Sequence, residues 1–154
     1  MKGSKILTIP GSPVSQGRPR LARSGHCFDP NWKQKKQVRE IVKQIYIEEF
    51  LQAGHVSFIF CMPISKTMLK KGGCLNLHTK KPDVDNLIKF YLDCMTGIVW
   101  EDDCSVSIGS AVKVYSAEPK TIISLRERTP LDIDLDALQF CESPSYERDC
   151  LHDF

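Results

Sequence analysis

The stretch from Lys80 to Cys104, KKPDVDNLIKFYLDCMTGIVWEDDC, constrains this chain more than any other. It holds six carboxylates, Asp83, Asp85, Asp93, Glu101, Asp102 and Asp103, interrupted only by Lys89. Carboxylates folded to within a few ångströms of one another repel and raise one another's pKa values unless a cation stands between them. The economical counter-charge is a hard divalent ion, which takes oxygen ligands and, in the case of Mg²⁺, keeps several of its waters.

Spacing gives this stretch a shape. Pro82 biases Lys81 toward an extended backbone, so Asp83 leaves a strand or loop. Asp85 is the expected N-cap of a helix, with Asn86 as the alternative. Leu87, Ile88, Tyr91, Leu92 and Met95 then form an apolar stripe at helical period. Thr96-Gly97 ends the helix, with glycine at the C′ position. On the polar side Asp85, Lys89 and Asp93 stack at successive turns. Asp83 and Asp85 fall at the helix N-terminus, where the macrodipole favours negative charge. Ile98-Val99-Trp100 is a short apolar run that brings Glu101-Asp102-Asp103 back toward the same helix end. The spacing therefore points to a three-carboxylate site of Asp83, Asp85 and one of Asp102 or Asp103. The competing reading is structural: a helix cap followed by a solvated acidic turn.

The run KPDVDNLIKFYLDCMTGIVWEDD also resembles the signature of the RusA family of Holliday junction resolvases, KPDxDNxxKxxLDxxxG followed by DD, in register and without a gap from Lys81 to Asp103. The resemblance implies a Mg²⁺-dependent, structure-selective endonuclease that works as a homodimer on four-way DNA junctions. It assigns metal binding to Asp83, Asp85 and Asp103, an active-site lysine to Lys89, and a supporting role to Asp93. Cys104 and Ser105 depart from the family pattern, which bears on base or backbone contacts rather than on the metal ligands.

At 154 residues the chain fits one domain with a real core. An apolar content of 42% with 26% charged residues is that of an ordinary globular chain, which leaves the function to be sought in a local site. No apolar run approaches membrane-spanning length, and the N-terminus has no long apolar segment of the signal-peptide kind. Seven scattered cysteines without a C-x-x-C pair argue against a disulfide framework and for a reducing, cytoplasmic setting. The net charge of +2 conceals an asymmetry. Residues 128–154 carry two basic and seven acidic side chains, and the first 127 residues carry nineteen and twelve. The body of the chain is thus basic and suits a phosphate-bearing partner.

In chain order, KILTI (residues 5–9) reads as a strand. The segment from Pro10 to His26 reads as a loop carrying Arg18, Arg20 and Arg23, and its G-S-P-x-x-x-G-R-P-R run is similar to the family's N-terminal segment. These arginines, with Lys80 and Lys81, are the expected DNA contacts. His26-Cys27-Phe28 is a short strand. Asp29-Pro30 is expected to start a helix that runs to about Leu51, with Val38, Ile41, Val42, Ile45 and Tyr46 on its buried face and its lysines and Arg39 on the wet side. Val56–Met62 is a dense, central strand. Residues 63–81 form a long basic loop, a flap over the substrate or an excursion without contact. Alternation over Val106–Tyr115 gives a strand, and Thr121–Leu125 is expected back as its antiparallel partner. Residues 129–154 form an acidic tail beyond an endonuclease domain of residues 1–128. The fold class is α+β, a mixed sheet with two helices packed on one face, in the order β-(β)-α-β-α-β-β. A branched-DNA-binding protein without turnover is the main alternative function. A Ca²⁺ loop is disfavoured because the D-x-[DN]-x-[DN]-G pattern is absent.

Overall fold

The structure, a computed structural model, describes residues 4–52, 54–65 and 77–127. Its elements run β1 (Lys5–Pro10), β2 (Arg20–Leu21), β3 (Cys27–Phe28), α1 (Trp32–Ile45), β4 (Gly54–Pro63), α2 (Val84–Met95), β5 (Val106–Ser116) and β6 (Lys120–Glu127). β2 and β3 form a small antiparallel hairpin, and the other four strands form one mixed sheet in the order β1-β6-β4-β5. This is the expected α+β class. The expected acidic tail falls on residues 129–154, outside the described residues, as does most of the basic loop, residues 66–76.

β4 is interior because one of its faces is apolar throughout. Val56, Phe58, Phe60 and Met62 all point into the core, and such a strand is most stable with both edges paired. β6 supplies Thr121, Ile123 and Leu125 to the same face. β5 contributes less, since only Val106 and Ala111 pack on the core while Ile108 and Val112 stay exposed. It therefore takes the edge, running parallel to β4 with Ile59 opposite Val112. β6 does not return beside β5 as the short turn suggested. It crosses the end of β4 and pairs antiparallel with β4 on one side and β1 on the other.

Both helices contribute to the core cluster that forms on one face of this sheet. α2 buries Leu87, Phe90, Tyr91, Cys94 and Met95. Phe90 and Cys94 thus join the expected stripe, while Ile88 and Leu92 sit half-buried on its flank. Tyr91 is the hub. Its ring lies 6.3 Å from that of Phe58, 5.6 Å from Phe60 and 5.1 Å from Phe90, contacts worth about 0.5–1.5 kcal/mol per pair beyond area burial. Its buried oxygen accepts from the Thr121 hydroxyl at 2.8 Å and from the Val14 amide at 3.3 Å. One side chain therefore joins α2, β6 and the loop after β1.

α1 starts later and ends sooner than the sequence suggests. Its N-cap is Asn31, with Asp29 accepting from the Asn31 amide at 2.8 Å just outside the helix. It stops at Ile45, where the chain turns extended at Tyr46, whose buried hydroxyl donates to the Glu49 carbonyl at 2.9 Å. Only Val38 and Val42 of the helix are fully buried, and Ile45 is exposed. Arg39 is not on the wet side. Its guanidinium donates to the carbonyls of Cys94 and Thr96 at 3.1 and 2.8 Å, satisfying acceptors that the C-terminus of α2 leaves open.

Candidate active site

Asp83 is the N-cap of α2 with φ −71° and ψ 147°, and Asp85 lies in the first turn. The cap thus falls two residues before the expected Asp85. Both acids are exposed, and among the described residues neither has a cationic partner. Two bare carboxylates at one helix N-terminus benefit from its dipole but still repel.

Lys89, one turn beyond Asp85, stands 3.2 Å from Asp93 and 4.0 Å from Asp103. The two members of the acidic pair have separate tasks. Asp102 accepts from the Cys104 amide at 3.1 Å, which holds its carboxyl below the usual range and caps the single 3₁₀ turn Asp103–Ser105. Asp103 is left turned to Lys89. The fold therefore brings Lys89, Asp93 and Asp103 together, with Asp83 and Asp85 on the preceding turn of the same helix.

A second tier holds these groups. The Lys35 ammonium bridges Asp29 and Asp93 at 2.8 and 2.9 Å. Burial opposes its charge, yet the hydrogen bonds to the two acids outweigh this and raise its pKa, while the Lys35 bond lowers that of Asp29. The chain Asp29–Lys35–Asp93–Lys89–Asp103 therefore runs from the start of α1 to the acidic turn. On the other side, Lys113 of β5 donates to the carbonyls of Lys80 and Pro82 at 2.8 and 2.6 Å. The segment ahead of Asp83 is further pinned by the His78 amide donating to the Lys113 carbonyl at 2.9 Å and by a bridge between Leu77 and Val114. Spacing along one element cannot reveal Lys35 or Lys113, because both act across elements. Lys35 had the look of one more solvated lysine in a charged run.

The arginine segment is anchored beside the acids. The Gln16 amide donates to the Asn86 carbonyl at 2.8 Å, and the Gly17 amide to the Asn31 side chain at 2.6 Å. Arg18, Arg20 and Arg23 follow on and around the β2–β3 hairpin, all exposed, as are Lys80 and Lys81.

The donors suit a hard divalent cation in chemistry: oxygen ligands only, exposed, and at Asp83 and Asp85 without a cationic partner among the described residues. Among the described residues, however, no three acid, histidine or cysteine side chains stand close enough to hold one ion together. The same residues contain no helix long and apolar enough to cross a membrane.

An α+β domain that offers acids and a lysine at one helix start, beside a basic hairpin, has the parts of a protein that handles phosphate backbones. Residues 10–126 match the family model described as endodeoxyribonuclease RusA, and the chain belongs to that family of endodeoxyribonucleases. It is also 36% identical over 135 residues to a Bacillus subtilis (strain 168) protein described as uncharacterized protein YqaN, a match covering 79% of this chain and 94% of that one.

Proposed function

We propose that this protein is a Mg²⁺-dependent endonuclease that resolves four-way DNA junctions in recombination and repair, acting as a homodimer in the cytoplasm. The observation that carries the reading is the pair of uncompensated carboxylates, Asp83 and Asp85, one turn ahead of the Lys89–Asp103 pair. In this reading Asp83, Asp85 and Asp103 hold the metal. When bound, Mg²⁺ supplies activation of a water and charge stabilisation on the departing oxygen. Lys89 neutralises the scissile phosphate, and Asp93, fixed by Lys35, keeps that ammonium in place. Arg18, Arg20, Arg23, Lys80 and Lys81 grip the backbone on either side. A two-fold dimer matches the near two-fold symmetry of the junction and puts one site on each of two strands. Residues 1–128 form the nuclease domain and residues 129–154 an acidic appendage.

The alternative, a branched-DNA-binding protein without turnover, draws on the acids not standing together as a triad. A synthetic four-way junction assayed with and without Mg²⁺ separates the two. Metal-dependent paired nicks, lost in Asp83→Asn and Asp85→Asn while junction binding persists, are the expected result. Binding without cleavage by the parent protein selects the alternative, and cleavage retained in both variants rejects the site.

A further inference from the structure

The β2–β3 hairpin and the start of α1 expose apolar surface that the folded chain does not use. Leu21 is 75% exposed, Phe28 40% and Trp32 54%. Besides Phe50, Phe28 and Trp32 are the only exposed phenylalanine or tryptophan among the described residues, and they stand four positions apart around the turn at Asp29. Leaving an indole in water forfeits the burial that normally repays so large a side chain.

The surroundings are cationic. Arg20 lies directly opposite Phe28 in the hairpin and so projects from the same face. Arg18, Arg23 and Lys36 are exposed nearby in sequence, and the Lys33 ammonium lies 5.6 Å from the Trp32 ring centroid. The one acid of this segment, Asp29, is already occupied by Lys35. Aromatic faces interleaved with arginine and lysine, and no free carboxylate, favour a polyanion that also carries flat rings. Bases paired inside a duplex present their edges rather than their faces, so the ring that fits is an unpaired one.

We propose that Phe28 and Trp32 form a stacking platform for an unpaired nucleobase of the DNA substrate, with Arg20 and Lys33 on its flanking phosphates. This rests on the nuclease reading and adds to it a preference for substrates with unstacked nucleotides at the branch. The platform is linked to the acids because the loop leading into the hairpin is tied to both helices. Gln16 bonds to Asn86, next to Asp85, and Gly17 bonds to Asn31, next to Trp32.

The two tryptophans make the test direct, since Trp100 is fully buried and Trp32 is not. The full-length protein, in EDTA to prevent cleavage, is titrated with oligothymidylate, with a fully paired duplex of equal length, and with a four-way junction. Oligothymidylate is expected to quench the exposed indole saturably and the duplex to leave it unchanged. Trp32→Ala should weaken oligothymidylate binding about tenfold, Trp32→Phe should retain most of it, and duplex affinity should not move. The emission of buried Trp100 reports that the Trp32→Ala variant is folded. Junction binding without quenching, or undiminished oligothymidylate binding by Trp32→Ala, overturns the platform and leaves the nuclease reading intact. Failure to bind any of the three DNAs overturns both. A change in Trp32 emission with protein concentration alone would assign the surface to a second copy of the chain and also overturn the platform.

Discussion

Lys113 offers the sharpest test of how the acids are held. Its ammonium bonds two carbonyls, those of Lys80 and Pro82, immediately ahead of Asp83. Lys113→Met keeps the stem of the side chain and removes both bonds. A hydrogen bond to a charged group contributes about 1.5–3 kcal/mol when sheltered. Here Lys80 is exposed, and water takes over part of the lost bonding, so the two together come to about 1–2 kcal/mol. That is a change of roughly tenfold in the population of the released segment. Even if the whole loss were felt globally, the melting temperature of a chain this size should drop by only about 2–8 °C, and the loss falls on an edge loop rather than the core. Hydrogen exchange followed by mass spectrometry should show residues 80–86 exchanging roughly tenfold faster, with β4 and β6 unchanged. On the proposed reading of Asp83 as a metal ligand, the Mg²⁺ concentration for half-maximal cleavage should rise by a similar factor, with the rate at saturating metal recovering, because the ion would have to re-order a released Asp83. Lys113→Arg, which retains donors, should fall between. Exchange and metal dependence both unchanged in Lys113→Met would refute this account of the clamp.

Two other variants probe how the site is supported elsewhere. Lys35→Met leaves Asp29 and Asp93 half-buried without their shared cation and should cost about 2 kcal/mol in chemical denaturation, much of it recovered when Asp29→Asn is added, since Asp93 keeps Lys89. The parent's advantage over Lys35→Met should also depend on pH: Asp29 has a lowered folded pKa, so its contribution is present above its ordinary value of 3.8 and disappears as acid titrates it below that. An advantage that persists undiminished at pH 2 would count against the bridge. Gly17→Ala places a methyl 2.7 Å from the Asn31 side-chain oxygen and 2.9 Å from a Pro30 carbon, so the arginine segment must shift. A stability loss of about 1–3 kcal/mol and weaker DNA binding are expected, and wild-type values for both would show that the segment is not seated as described.

Features local to one element were legible in the sequence. The apolar run at β4, the stripe on α2 and Gly97 as its terminator, with φ +75°, stand where period and composition put them. Termini were less legible. Asp85 and Asp29 have N-cap chemistry, but the backbone enters each helix two residues away, at Asp83 and Asn31, and Asp29 serves a lysine instead. The partner of β6 is misread from the turn alone, because a three-residue turn suggests a hairpin and the pairing follows only when the apolar weight of β4 is compared with that of β5. The site divides the same way. Asp85, Lys89 and Asp93 on one helix could be read from their spacing. The separate tasks of Asp102 and Asp103 depend on which amide and which ammonium each carboxylate meets, and that is fixed only by the turn after Trp100.

The placing of β6 has a consequence for how the molecule comes into being. The last strand of the sheet fills the gap between the first strand and β4, pairing Lys5 with Leu125 across almost the whole chain. During synthesis the amino-terminal strand therefore waits, without its neighbour, until nearly everything else has been made. The acids of α2 thus ride on a helix packed against a sheet that cannot close until β6 has been made.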